Sequence, residues 1–100
     1  MEKELLKAIF DSALDGIFII DGQGRYIDVN PAGCAMFGYS KEEMLAGDIR
    51  LLLFPEDGEP AFEKGKKSRT EGAFVPESRM RRKDGSEVWV ELTVKPLKTK

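Results

Sequence analysis

One hundred residues with a formal net charge of −2 make one domain with one modest core, and 41% hydrophobic with 34% charged residues argues against disorder. The near-neutral balance removes a global electrostatic case for nucleic acid, and no apolar run is long enough to span a membrane. The absence of histidine removes His-activated nucleophiles, His-ligated zinc, His-ligated haem and a phosphoacceptor histidine from this chain.

Residues 1–14 read as an amphipathic helix. Leu6, Phe10, Ala13 and Leu14 form a stripe that Leu5 and Ile9 widen. The charged Glu2, Lys3, Glu4 and Lys7 do not suit a signal peptide. Residues 17–20 are a continuous apolar run, too short for a helix, and residues 25–29 are a second extended run. Gly22 and Gly24 between them predict a hairpin turn. Strict alternation puts Phe18 and Ile20 on one face. It pairs Tyr26 with Asp28, and Ile27 with Val29. Both faces are apolar, which predicts that the N-terminal helix covers the back of the sheet.

Asn30-Pro31 predicts an N-cap followed by proline at the first helical position, and Gly38 stops that helix. Ser40-x-x-Glu43 is a capping box that opens another short helix. Residues 48–54 read as a short helical or irregular segment carrying the cluster Leu51, Leu52, Leu53 and Phe54. The prolines at 55 and 60 predict a turn-rich break, followed by a weak helix over 61–71. Its Lys64, Lys66, Lys67 and Arg69 read as a solvated face, because no aromatic residues interleave them.

Residues 73–83 and 86–95 read as two strands joined at Asp84-Gly85. Val88, Val90, Leu92 and Val94 alternate with Glu87, Trp89, Glu91, Thr93 and Lys95, so the first set faces the helices. Pro76, Ser78 and Met80 join that inner face. Arg79 and Arg81 point outward to pair with Glu87 and Glu91.

No catalytic constellation emerges. Gly22-x-Gly24 lacks the third glycine and following helix of a dinucleotide loop. Cys34 has the spacing of a core residue and no histidine to activate it. One cysteine forms no internal disulfide and suits a reducing, cytoplasmic setting.

Three separated blocks together resemble the PAS domain family. They are D-G-I-F-I-I-D-x-x-G-x-Y-I-x-V-N-P-A, then F-G-Y-S-K-E-E-M-L-A-G, then R-R-K-D-G-S-E-V-W-V-E-L-T-V-K-P-L. The resemblance implies an α+β fold, in which an antiparallel sheet of up to five strands is cupped by short helices. Residues 1–14 would be an N-terminal cap or dimerisation helix, and 15–100 the domain proper. It implies a sensor module that is not itself an enzyme. Such a module serves a sensor kinase, cyclase or transcription regulator, with an attached output domain. The implied cavity takes a small apolar ligand and is lined by Phe18, Ile20, Leu53, Ser78, Met80, Val90 and Leu92, with Asp28 as a further contact. The implied homodimer forms through Leu5, Leu6, Ile9, Phe10 and Ala13. The alternative is a ligand-free interaction module with a filled core.

No cofactor is expected. The light-sensing flavin branch resembles G-R-N-C-R-F-L where this chain has G-D-I-R-L-L-L, and Arg50 stands in place of the photoreactive cysteine. That argues against adduct photochemistry. Trp89 does not discriminate for or against a non-covalent flavin. The family's fifth strand lies centrally, beside the first. Here Lys98-Thr99-Lys100 follows with no apolar alternation, so the first strand and the Trp89 strand would each present an unpaired edge. Either the natural chain continues with that strand and an output domain, or the gap closes by pairing between chains, swapping or collapse.

Overall fold

The computed structural model describes residues 1–96. Its elements in order are α1 (Glu2–Ser12), β1 (Phe18–Ile20), β2 (Tyr26–Val29), α2 (Pro31–Phe37), α3 (Lys41–Leu45), a 3-10 turn (Ile49–Leu52), α4 (Pro55–Glu71), β3 (Ala73–Arg81) and β4 (Glu87–Val94). The strands form two antiparallel hairpins, β1–β2 and β3–β4. Among the described residues, neither hairpin is hydrogen-bonded to the other. The expectation that no fifth strand follows β4 falls on residues 97–100, which lie outside the described residues.

The first hairpin turns on Asp21. Its Oδ1 accepts from the amides of Gln23 and Arg25 at 2.8 and 3.0 Å, and its Oδ2 from Arg25 Nε at 2.8 Å. Gly24 takes the left-handed conformation, φ 84°, that closes the turn. The strands pair Phe18 with Val29 and Ile19 with Asp28, then shift so that Ile20 meets Tyr26. This bulge corrects the strict alternation expected for β2. Tyr26 and Val29 share the buried inner face, while Asp28 lies opposite with Ile19 and Ile27 is 55% exposed.

The short helices follow their caps. Asn30 Oδ1 accepts from the Gly33 amide at 2.9 Å, and Gly38 is left-handed at φ 82°. The Ser40–Glu43 box is closed in both directions, at 2.9 and 3.1 Å. Helix α2 sits directly on the hairpin: a Cβ at Gly33 would lie 2.9 Å from both Phe18 Cζ and Val29 Cγ1. The core cluster is Tyr26, Val29, Phe37, Met44, Leu52, Leu53 and Met80. Phe18 meets the Phe37 ring edge-on at 5.8 Å.

The second hairpin keeps the alternation expected of β4: Val88, Val90, Leu92 and Val94 are half-buried, and the residues between them exposed. In β3, a bulge between Val75 and Ser78 changes which side chains face inward. Val75 pairs with Leu92 and Ser78 with Val90, so Pro76, expected on the inner face, is exposed. Proline has no amide to donate to the ladder, and the bulge accommodates it. The hairpin tip is tied to the helices. The Lys83 amide donates to the Phe37 carbonyl at 2.8 Å, and Lys83 Nζ to Glu43 Oε2 at 2.7 Å.

Two longer-range expectations are corrected. The break at 55–60 is the first part of α4. Pro55 is preorganised at the helix start, and Glu56 and Asp57 complement the helix dipole. Pro60 forgoes one backbone bond in the second turn, where it is exposed. Helix α1 packs against α2 rather than across the back of the sheet, and none of its residues is buried. Leu14 lies beyond the helix and is 96% exposed. The outer face therefore leaves Trp89, Phe74 and Ile27 open to solvent.

Asn30 joins these parts. It is fully buried, and its side chain uses its full capacity. Oδ1 accepts from Ile17 and Gly33, while Nδ2 donates to the Phe10 and Asp15 carbonyls at 3.1 and 3.0 Å. Asn30→Ala strands two donors and two acceptors, and should cost about 2–4 kcal/mol in urea denaturation. Glu91→Ala, on the exposed face of β4, should stay within about 0.5 kcal/mol. Equal midpoints for the two variants would contradict this account.

Candidate functional site

Among the described residues, a cleft of about 1760 Å³ is bordered by both hairpins, the 3-10 turn and α4. Pockets for small molecules more often measure roughly 300–1,000 Å³. This one is larger because it extends between β1 and β4, which share no hydrogen bond among the described residues. Phe18, Ile20, Leu53, Ser78, Met80, Val90 and Leu92, the residues expected to line a cavity, all border it. Asp28 does not. The β2 bulge turns it to the other face, where Lys41 Nζ pairs with it at 2.8 Å and holds its carboxyl below the usual range.

Sequence reading missed Tyr26, Ile49, Val75 and Arg69, which also line the cleft. The β3 bulge hid Val75, since a strict period of two places it on the face opposite Ser78 and Met80. Burial pushes the Tyr26 phenol far up, so it stays protonated and a hydrogen-bond donor at neutral pH. Arg69 was expected on a solvated helix face. It is half-buried and lines the cleft, while Lys66 of the same basic run is exposed and pairs with Glu63 at 2.9 Å.

Helix α4 forms one wall and is held at both ends by arginines. At its start, Arg79 of β3 reaches Glu87 at 2.7 Å, Asp57 at 3.0 Å and Glu56 at 3.5 Å. The same guanidinium lies 3.8 Å from the Phe54 ring centroid. At its end, Arg69 donates to the Gly22 and Phe62 carbonyls, both at 3.4 Å, and stacks on Phe62 at 4.8 Å. Arg81 does not make the expected cross-strand pair; its Nη2 donates to the Leu51 carbonyl at 3.4 Å.

Arg50 does not line the cleft. It pairs with Asp48 at 2.6 Å and lies over Phe62 at 4.7 Å. Arg50, which the resemblance sets against the flavin branch's photoreactive cysteine, is thus an ion-paired side chain. With no histidine in the sequence, the residues also do not fit a His-ligated haem. Among the described residues, no cluster of three or more Cys, Asp or Glu could hold a metal ion.

The model of the PAS domain family matches residues 14–100. The oxygen sensor protein DosP of Escherichia coli is 32% identical over 98 residues, covering 79% of this chain and 12% of its own length. The cell-division control histidine kinase PdhS of Brucella ovis is 45% identical over 58 residues, covering 58% of this chain and 6% of its own length. The chain thus spans only a small part of these curated relatives. Among solved structures, a domain of a sensory box sensor histidine kinase/response regulator from Geobacter sulfurreducens superposes with a TM-score of 0.78. That match has 32% identity and covers 92% of this chain and 81% of that one.

The ion pairs that pin the cleft fix a pH dependence. Glu87 is held below its ordinary value by Arg79, then Trp89; Glu43 by Lys83 and the Ser40 amide. A carboxyl with a depressed folded pKa stabilises above its unfolded value, and that stabilisation is lost as pH falls through the folded one. Urea midpoints should therefore hold between pH 8 and 6 and decline below about pH 4.5, the ordinary value of a glutamate. A decline between pH 8 and 6 would contradict the assignment, because the chain has no histidine.

Proposed function

The chain belongs to the PAS domain family, and from that premise we propose that it is the sensing module of a larger signalling protein, with an apolar cleft that takes a small ligand. The observation that carries this reading is the cleft, walled by Phe18, Ile20, Val90 and Leu92 and left unfilled by the side chains of the described residues. Apolar walls with a few polar groups are the usual make-up of a small-molecule site. The phenol of Tyr26 and the hydroxyl of Ser78 supply such groups here.

The module itself does no chemistry in this reading. Its output belongs to an attached domain of a sensor kinase, cyclase or transcription regulator, as its similarity to short parts of much longer proteins supports. DosP is named an oxygen sensor. Transfer of that role by way of a His-ligated haem is not supported, since this chain supplies no histidine. The single cysteine and a described chain with no helix long and apolar enough to cross a membrane favour a cytoplasmic setting.

The module is also read as a homodimer. Leu5, Leu6 and Ile9 are each more than half exposed on α1, an apolar stripe with no cover in the single chain. Phe10 and Ala13, half-buried, border it.

Two experiments test these readings. Native mass spectrometry should find a small molecule retained by the protein, or an environment-sensitive apolar dye should bind one per domain. Val90→Lys should abolish either signal with unchanged circular dichroism. Absence of both signals in the wild type favours a filled-core interaction module. Leu6→Lys with Ile9→Lys should convert a dimer to a monomer in light scattering, and a wild type monomeric at high concentration overturns the dimer.

A further inference from the structure

The charged side chains that line the cleft are, with one exception, matched or exposed. Asp21 holds Arg25 and two backbone amides. Arg79 is shared among three carboxylates, Glu56, Asp57 and Glu87. Glu77, Glu91 and Lys95 are exposed at the open side. The exception is Arg69. It is half-buried, and its hydrogen bonds go to two carbonyl oxygens, each at 3.4 Å. That is long against a usual N–H···O separation of about 2.9–3.0 Å. A guanidinium has five donor hydrogens in a planar fork, so most of Arg69's capacity is left over.

The fold makes room for this group. A Cβ at Gly65, one turn before Arg69 on α4, would lie 2.9 Å from Arg69 Nη1. Glycine inside a helix costs about 1 kcal/mol relative to alanine. Here it opens the space in which the guanidinium lies back over the helix. The Phe62 ring then fixes the plane of the fork at 4.8 Å. Ile20 and Ile49 line the same cleft as Arg69.

We infer that the Arg69 end of the cleft receives the carboxylate of an amphipathic monocarboxylic acid, with its acyl chain lying along the apolar wall. This names the ligand class for the cleft and rests on the reading of that cleft as a ligand site. A carboxylate matches the guanidinium fork with two parallel hydrogen bonds. The opposite end of α4 sets the second half of the specificity. There Glu56, Asp57 and Glu87 crowd one arginine, so a second anionic group on the ligand meets carboxylates. The ligand is therefore charged at one end only.

Calorimetric titration with decanoate, decanol and decanedioate tests this on the whole chain. Decanoate should bind at least tenfold more tightly than decanol, and decanedioate more weakly than decanoate. Arg69→Gln should erase the preference for decanoate while leaving decanol binding unchanged. Gly65→Ala, which keeps the arginine but fills its seat, should weaken decanoate several-fold. Decanol bound as tightly as decanoate by the wild type overturns the inference and leaves the apolar site standing. Binding of neither overturns both. Equal loss of decanoate and decanol in Arg69→Gln also overturns it, because the arginine would then serve only the wall of the cleft.

Discussion

The fold depends on one buried amide. Asn30 ends β2 and caps α2, so its position in the chain already joins sheet to helix. Its side chain then reaches the start of β1 through the Ile17 amide, the α1–β1 link through the Asp15 carbonyl, and α1 itself through the Phe10 carbonyl. A buried amide of this kind is worth having only if every donor and acceptor is met, since each unmet group carries its full desolvation cost. The backbone segments it contacts are therefore fixed relative to one another. Helix α1, which has no buried residue, is tied to the domain through this amide as well as through packing on α2.

From that joint the cleft follows. The first hairpin is clamped under α2, where Gly33 lets Phe18 and Val29 approach the helix backbone. The second hairpin is fastened at its tip, by Lys83 to the end of α2 and to Glu43. Beyond these attachments, no hydrogen bond draws β1 and β4 together among the described residues. The inner apolar residues Val90 and Leu92 border the cleft and are half-buried, while Phe37 is fully packed.

What was legible in the sequence is local. Asn30-Pro31, Gly38, Ser40-x-x-Glu43 and Asp84-Gly85 each declare a cap or turn through the chemistry of one to four residues, and each forms as expected. The alternation in β4 was legible because its partner faces it without interruption from Ser78 onward. The bulges were not, because an extra residue leaves no mark in composition and reverses every face assignment beyond it. That misplaced Asp28, Val75 and Pro76. The continuity of α4 through Pro60 was hidden for another reason. A proline near a helix start gives up one backbone bond, and the ion pairs of Asp57 and Glu56 with Arg79 come from a strand some twenty residues away.

The two walls of the cleft differ in what holds them. The floor is core: Leu52 and Phe37 are almost wholly removed from water. The α4 side is held chiefly by arginine contacts to carboxylates, carbonyls and aromatic rings near the surface. Individual contacts of that kind contribute about 0.2–1 kcal/mol, against roughly 1.5–3 kcal/mol for burying one large apolar side chain. Local opening takes place where burial is least. The floor is therefore the fixed side of the cleft, and α4 the wall held by the weaker contacts. Arg69 reaches the hairpin through Gly22, and the same hairpin leads through β2 to Asn30 and on to α1. One continuous set of hydrogen-bonded segments thus runs from the Arg69 end of α4 to the N-terminal helix.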